Sequence, residues 1–297
     1  MSRRDIEFTS EGTTLRGWFY PADNANGKLP TVVMAHGFSA VKEMYLDRYA
    51  EHFAANGLNV LVHDNKSFGD SDGLPRQEID PWLQVRGYRD AITYACTMEE
   101  TDPSRIGVWG SSFSGGHAIV LGAIDSRVKA VVSQVPLING YENLRALVRP
   151  DFIDGLRASF DEDRLNRFRG EEPVMVPVVD EDPLASSALP TPDSYEWFTK
   201  TGETRAPNWR NEVTQRSLEY LSEYIPESFI DKVSPTPLLL MPAENDVLAP
   251  TRFAIAAYEK AFEPKKMIIL PGGHFDAYVD AFELSSGEAL AWFQNQL

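Results

Sequence analysis

Apolar and polar positions alternate along the chain in a way that predicts strands separated by helices. Short, nearly continuous apolar runs are typical of strands that are buried on both faces of a sheet. Within residues 43–56, apolar residues recur at spacings of three and four, which predicts an amphipathic helix. The predicted elements are two strands within 5–21, strands at 31–37, 58–64, 106–110, 128–136, 237–243 and 265–273, and helices at 43–56, 80–100, 112–124, 251–262 and 283–296. This order predicts an α/β fold with a mostly parallel central sheet flanked by helices.

The alternation stops between residues 140 and 232. Two parts of this segment still have helical spacing, at Phe152, Leu156 and Phe160 and at Leu218, Leu221 and Ile225. A Pro-rich, acidic stretch at 171–194 lies between them. Because a structureless loop of this length is unusual in a compact domain, we expect a helical lid at 140–232. Residues 1–139 and 233–297 are then expected to form the α/β core.

Composition and charge limit the classes of partner. The 297 residues include 28 basic and 44 acidic side chains, a formal net charge of −16. Such a surface repels phosphate backbones and anionic lipids, so we expect neither a nucleic-acid partner nor a membrane surface. The amino-terminal residues are polar, and no run approaches the roughly 18 apolar residues of a membrane span. We therefore expect a cytoplasmic protein, and the single cysteine, Cys96, excludes an intramolecular disulfide and a Cys-based zinc site.

The sequence GSSFSGG joins a predicted strand to a predicted helix and contains three serines. A strand, a sharp turn of small residues and a helix form a nucleophile elbow, which requires small residues two positions before and after the nucleophile. Ser111 is excluded because bulky residues occupy both of those positions. Ser112 has Gly110 and Ser114 there, and Ser114 has Ser112 and Gly116, so sterics allow both. The strand runs directly into Gly110, which places Ser112 at the apex of the turn and Ser114 inside the helix.

A serine hydroxyl needs a neighbouring base to accept its proton. In elbow-containing sites the chain order is serine, then an acid, then histidine. Of the five histidines, only His117 and His274 follow Ser112, and His117 lies within the elbow helix with no acid placed before it. His274 lies in a Gly-rich loop directly after a predicted strand. We therefore predict that His274 is the base.

The acid that orients this histidine is expected at another strand end upstream of it. The sequence PLLLMPAENDVLAP places Glu244 and Asp246 after a predicted strand. Asp246 fits better, with Glu244 as the alternative, whereas Asp276 is too close in sequence to His274.

The developing oxyanion needs preorganised donors, which are usually backbone N–H groups. We predict that one donor is the N–H of Phe113, directly after the nucleophile. The second is predicted to be the N–H of Phe38, in the loop after an early strand, with His36 holding that loop. No metal or organic cofactor is required, because the glycines do not form a phosphate-binding pattern after a strand.

Four motifs together resemble the α/β-hydrolase fold superfamily. They are HGF at 36–38, DNKSFGDS at 64–71, the elbow at 110–115 and the acid–histidine pair END…H. The second motif matches the family's D-x-R-G-x-G-x-S loop, except that Lys66 and Ser67 replace Arg and Gly. We interpret this loop as a structural turn. The resemblance covers essentially the whole chain and implies a Ser–Asp–His catalytic triad.

The stretch at 35–81, together with DAITYA and IGVWGSSFSGGHAI, is similar to a narrower group. This group contains fungal polyketide transferases and thiohydrolases and related bacterial dienelactone-hydrolase-like proteins. The resemblance implies acyl transfer or hydrolysis on a small-molecule ester or thioester, through an acyl-enzyme, with a polyketide-like or other hydrophobic acyl group. The alternatives are a prolyl-type peptidase or amidase, a C–C or lactone hydrolase, and a non-catalytic binding protein of the same fold.

The predicted lid is rich in aromatic residues. They are Tyr195, Trp197, Phe198, Trp209 and Tyr220. They either line a hydrophobic acyl pocket or pack within the lid, and the sequence leaves both alternatives open.

Overall fold

A computed structural model of the chain describes residues 3–23, 27–182 and 184–297. The strands are β1 (Arg4–Ser10), β2 (Thr13–Tyr20), β3 (Leu29–Ala35), β4 (Asn59–His63), β5 (Thr101–Ser111), β6 (Val128–Gln134), β7 (Met175–Val176), β8 (Val213–Thr214), β9 (Leu238–Met241) and β10 (Lys265–Met267). The α-helices are α1 (Leu46–Ala55), α2 (Pro81–Thr97), α3 (Phe113–Ile124), α4 (Gly140–Leu147), α5 (Ile153–Phe168), α6 (Pro192–Thr204), α7 (Gln215–Glu223), α8 (Thr251–Lys260) and α9 (Phe282–Gln296). None of these described helices has both the length and the apolar character needed to cross a bilayer.

The main sheet has the strand order β1-β2-β4-β3-β5-β6-β9-β10. β1 and β2 pair antiparallel, β2 pairs antiparallel with β4, and the other neighbours are parallel. Strands β4 and β9 are buried along their whole length, as expected for strands of a sheet that is covered on both faces. The predicted mostly parallel α/β sheet with flanking helices is confirmed. Its parallel strands end at one common edge, where loops from different strands meet.

Several element boundaries differ from the predicted ones. The helix expected at 43–56 begins only at Leu46, because Tyr45 has a left-handed backbone conformation with φ of 71°. The last strand expected at 265–273 is shorter, and only an isolated bridge between Ala243 and Leu270 continues the pairing.

Between β6 and β9 the described chain is mainly helical. The two helices expected from apolar spacing are present as α5 and α7. Two further helices, α4 and α6, were not predicted. α4 begins where the Asn139 side chain accepts a hydrogen bond from the Glu142 N–H, and α6 begins with a proline at its first position. Part of the Pro-rich stretch is therefore helical, while Pro183 within it lies outside the described residues.

Candidate active site

Ser112 lies at a sharp turn between β5 and α3. Its backbone has φ of 60° and ψ of −119°, a conformation that residues other than glycine adopt rarely. The turn is held by the N–H of Ser112, which donates to the carbonyl of Gln134 at 2.8 Å. A Cβ at Gly110 would lie 1.9 Å from the carbonyl oxygen of Ser114, so only glycine fits before the turn. The predicted strand–turn–helix geometry is therefore present, with Ser112 at its apex.

The other two serines of the turn are buried, and their hydroxyls contact other groups. The Ser114 hydroxyl donates to the carbonyl of His36, which ties the elbow helix to the loop after β3. The Ser111 hydroxyl bonds to the phenol of Tyr278. Among the three serines, only the partly exposed Ser112 contacts His274 in the described structure.

Ser112, His274 and Asp246 form one chain of hydrogen bonds. The Oγ of Ser112 lies 3.0 Å from Nε2 of His274, and Nδ1 of His274 lies 2.7 Å from Oδ2 of Asp246. Because a carboxylate only accepts, Nδ1 carries the proton and Nε2 is left to accept the serine proton. His274 is 1% exposed and Asp246 is 6% exposed, so water is largely excluded from both. This arrangement can activate a serine hydroxyl.

Of the three candidate carboxylates, Asp246 is the one that contacts the His274 side chain in the described structure. Oδ1 of Asp246 accepts the N–H groups of Leu248 and Ala249 at 2.9 and 2.7 Å, which fixes the carboxylate while Oδ2 faces His274. Glu244 is exposed and does not contact His274. Asp276 instead accepts the N–H of Gly273 at 2.6 Å and so holds the loop that carries His274.

The two predicted oxyanion donors lie beside Ser112. A Cβ at Gly37 would approach the Cβ of Ser112 to 2.8 Å, so the loop after β3 packs directly on the elbow. The rings of Phe38 and Phe113 contact each other edge to face, with centroids 5.8 Å apart. Within the described residues, the N–H groups of Phe38 and Phe113 have no hydrogen-bond acceptor. Two unpaired N–H groups beside Ser112 fit the predicted oxyanion donors, a role that stays a prediction.

His36 holds this loop in place. Its Nδ1 accepts the N–H of Gly37 at 2.8 Å, and its Nε2–H donates to the carbonyl of Met44 at 2.8 Å. Burial lowers the pKa of His36 to about 4, despite the opposing effect of the Met44 carbonyl. The ring is therefore neutral near pH 7, and its two hydrogen bonds require one tautomer. The expectation that His36 supports the loop fits this geometry.

A cavity of about 480 Å³ opens above Ser112. Ser112, Phe38, Phe113 and Leu137 form its floor. Its walls come mainly from α4, α5 and α7, with the lining residues Asn143, Leu144, Leu147, Gly155, Leu156, Ser159, Gln215, Leu218 and Leu221, and from the stretch 184–190. The volume lies in the usual range for small-molecule sites, and the lining is mostly apolar. Leu156, Leu218 and Leu221 belong to the helical spacing seen in the sequence. That spacing predicts their helices, but only the fold shows that these side chains line the cavity.

The five aromatic residues of the predicted lid do not line this cavity. Trp197 stacks on Phe275 with centroids 4.8 Å apart, and Phe198 stacks on Trp209 at 5.2 Å. Of the two alternatives that the sequence left open, packing within the protein is the one that Trp197, Phe198 and Trp209 follow. The stacking fixes α6 against the loop that follows His274.

The sequence was compared with those of known protein families. The sequence profile of the alpha/beta hydrolase fold matches residues 30–281. The chain belongs to this family. The resemblance inferred from the sequence motifs is therefore confirmed.

Several proteins similar to this α/β-hydrolase chain belong to the narrower group. It is 36% identical to the thiohydrolase aneE of Aspergillus aculeatus over 274 residues, which cover 89% of this chain and 83% of the relative. It is 32% identical to the polyketide transferase grgF of a Penicillium species, over 93% of this chain and 90% of the relative. The crystal structure of the α/β hydrolase GrgF from Penicillium sp. sh18 superimposes with a TM-score of 0.86 at 28% identity, covering 100% of this chain and 99% of that chain. The similarity to thiohydrolases and polyketide transferases is confirmed.

In this α/β-hydrolase chain, the loop at 64–71 is built around a buried ion pair. Nζ of Lys42 lies 2.7 Å from Oδ2 of Asp64 and also bonds to Glu43 and Asp70. These three carboxylates lie within 4.8 Å of one another, and the ammonium occupies the place that a metal ion would take between them. Burial raises the pKa of Asp64, and attraction to Lys42 opposes this effect. The cluster joins the loops after β3 and β4.

One departure of this loop from the family pattern, Ser67, has a local explanation. Ser67 stands where the family pattern has glycine, and its φ of 71° lies in the left-handed region that favours glycine. Its hydroxyl donates to the carbonyl of Glu78 at 2.8 Å, which helps to hold this conformation. A Cβ at Gly69 would lie 2.2 Å from the Asp64 carboxylate, so only glycine fits at this position, as in the family pattern. These contacts fit the interpretation of the loop as a structural turn.

Proposed function

We propose that this protein is a serine hydrolase or acyltransferase that forms an acyl-enzyme on Ser112 from a hydrophobic ester or thioester. One observation carries the proposal: the hydrogen-bonded chain of Ser112, His274 and Asp246 lies at the floor of a largely apolar cavity. The similarity to a thiohydrolase and a polyketide transferase supports the choice of an acyl substrate.

The proposed mechanism begins when Oγ of Ser112 attacks the acyl carbonyl carbon and gives its proton to Nε2 of His274. Asp246 keeps the imidazole in the required tautomer and stabilises its charged form. The oxyanion accepts hydrogen bonds from the N–H groups of Phe38 and Phe113. The alcohol or thiol then leaves with the proton from His274, and the acyl group remains on Ser112.

The second half of the reaction releases the acyl group. Water or an alcohol attacks the acyl-enzyme, and His274 accepts its proton and returns it to Oγ of Ser112. The relatives include a thiohydrolase and a polyketide transferase, so both acceptors belong to the proposal.

We propose that residues 140–232 form a lid on the α/β core. Helices α4, α5 and α7 from this segment supply most of the cavity walls above Ser112. A lid in this position surrounds the acyl chain and reduces the access of water to the acyl-enzyme.

The test is a substrate panel measured with and without a serine-directed fluorophosphonate. The panel contains p-nitrophenyl esters and acyl thioesters of increasing chain length, each with and without an added alcohol acceptor. We expect turnover that the inhibitor abolishes and an inhibitor adduct on Ser112 by mass spectrometry. Ser112→Ala is expected to lower kcat by at least about 10³-fold. The exposed Ser104→Ala is the matched control and should behave as wild type.

The proposal fails if no member of the panel gives inhibitor-sensitive turnover. It also fails if the inhibitor labels a different serine and Ser112→Ala keeps wild-type rates.

A further inference from the structure

Two amide side chains are among the polar groups in the mainly apolar wall of the cavity. Asn143 on α4 is 5% exposed and Gln215 at the start of α7 is 7% exposed, and both line the cavity. Burying an amide without hydrogen-bond partners destabilises a protein. An amide has an NH₂ donor end and an oxygen acceptor end, so the bonds that it makes within the protein show which end is left for a ligand.

The orientation of the Asn143 amide follows from its partner. Its Nδ2 donates to the carbonyl of Leu248 at 3.1 Å. A carbonyl can only accept, so the NH₂ group must point to Leu248 and the oxygen must point away from it. Within the described residues, the Oδ1 atom has no hydrogen-bond donor.

The Gln215 amide is fixed in the same way by two linked bonds. Its Nε2 donates to Oγ of Ser159 at 2.8 Å, and that hydroxyl donates its own proton to the carbonyl of Leu156 at 2.7 Å. The serine oxygen is therefore an acceptor for Gln215, which leaves Oε1 as the unused end of the amide. No donor to Oε1 is present in the described part of the chain.

The cavity thus presents two amide oxygens whose own NH₂ groups are already bonded within the protein. Both residues line the cavity, and neither oxygen is among the described polar atoms that are sealed from solvent and unpaired. Each unpaired oxygen therefore keeps some exposed surface on a residue of the cavity wall. A purely hydrocarbon chain has no hydrogen-bond donor, and a keto group only accepts. Either chain would displace water from these two oxygens without replacing the hydrogen bonds that water donates to them. A chain hydroxyl supplies the missing donor.

We propose that Asn143 and Gln215 are specificity-determining residues that accept hydrogen bonds from hydroxyl groups on the acyl chain. The preferred substrates are then hydroxylated acyl esters or thioesters. This inference rests on the proposed function for its chemistry, but the recognition itself is a property of the cavity and can be measured without turnover.

The first experiment measures binding to the Ser112→Ala protein by calorimetry. The probes are N-acetylcysteamine thioesters of decanoic acid and of monohydroxydecanoic acids whose hydroxyl is moved along the chain. We expect at least one hydroxyl position to bind about three- to tenfold more tightly than the plain chain. Equal binding of the plain chain and every hydroxylated chain would overturn the inference.

The second experiment assigns the preference to a residue. In Gln215→Met the side chain keeps a similar length and loses its acceptor, so the ratio of affinities should fall towards one. Leu218→Met, one turn further along α7 and also in the cavity wall, is the matched control and should keep the ratio. A ratio that is the same in both variants would overturn the role of Gln215.

The two proposals fail in different ways. Turnover that depends on Ser112 without any binding preference would leave the proposed function standing and overturn the amide inference. A clear hydroxyl preference in binding, without turnover of any ester or thioester of the panel by the wild-type protein, would support the amide inference and overturn the proposed function.

Discussion

Ser114 occupies the position where the elbow pattern of this family has glycine, and its hydroxyl makes a contact that glycine lacks. The hydroxyl donates to the carbonyl of His36, which also accepts the Nδ2–H of Asn65 at 3.2 Å. His36 is followed by Gly37 and Phe38, and this short segment places the N–H of Phe38 beside Ser112. Ser114 therefore couples the proposed nucleophile to the proposed oxyanion donor.

We expect Ser114→Ala and Ser114→Gly to lower kcat by up to about tenfold with little change in KM, because one hydrogen bond to the donor loop is lost. Steady-state kinetics on the best ester of the panel measures this effect. Ser112→Ala provides the comparison, with a loss of at least about 10³-fold. If Ser114→Ala were inactive and Ser112→Ala retained wild-type turnover, Ser114 would be the nucleophile.

The candidate site was predictable at the level of single residues because its members follow strand ends in a known chain order. Ser112, Asp246 and His274 were placed by this order, and the structure brings their side chains into hydrogen-bond contact. Their catalytic roles stay predictions. The Ser114–His36 contact was not predictable, because its two residues are 78 positions apart and the partner is a backbone carbonyl.

At the scale of elements, local periodicity predicted the strands of the main sheet and the α-helices of the core. In the segment 140–232 it missed α4, α6 and the short strands β7 and β8. α6 begins inside the Pro-rich stretch at Pro192. Proline is favoured at the first helical position, so this residue marks the start of the helix as well as the end of the stretch. The buried face of α6 carries Trp197 and Phe198. Both rings contact Phe275, which lies in a loop far away in the sequence. Such tertiary packing is not visible in a local pattern.

The ion pair between Lys42 and Asp64 connects two of the loops at the end of the sheet. We expect Lys42→Met to lower the free energy of unfolding by about 3–5 kcal/mol at pH 8, because it leaves the buried Asp64 carboxylate without its cation. Urea denaturation followed by circular dichroism gives this quantity.

The double variant Lys42→Met/Asp64→Asn is the control for this prediction. It removes both charges and keeps the size of the second side chain, so it should be more stable than Lys42→Met alone. A double variant no more stable than the single one would show that the ion pair is not the cause.

At the scale of the whole molecule, the sheet explains why the candidate site was easier to predict than its cavity. Ser112 follows β5, Asp246 follows β9 and His274 follows β10, and parallel strands bring their carboxyl ends to one edge. The cavity walls come instead from α4, α5 and α7, whose positions depend on how the segment 140–232 packs on the core. Apolar spacing predicts that α5 and α7 exist, but not which side chains face Ser112.

The buried histidines connect the stability of the whole fold to pH. Burial lowers the pKa of His36 to about 4 and those of His63 and His117 to about 3, whereas an exposed histidine titrates near 6.5. The unfolded chain therefore binds more protons than the native protein below about pH 6.5. Stability is fully present above this value and is lost as the pH falls towards the native pKa values. Between pH 6.5 and 5.5, each of the three should contribute a loss of about 1 kcal/mol in unfolding free energy.

Urea unfolding at pH 7.5, 6.5 and 5.5 measures this loss, and His63→Leu isolates one contribution. The His63 ring packs against Phe8 and Tyr88, with centroids 5.8 and 5.1 Å away, so leucine keeps an apolar contact there. Between pH 6.5 and 5.5 the variant should lose about 1 kcal/mol less stability than wild type. The difference between the two proteins removes the effect of other buried groups that titrate on acidification, such as Asp64, whose pKa is raised by burial. An identical loss in both proteins would mean that a neutral, buried His63 does not contribute to the acid sensitivity of the fold.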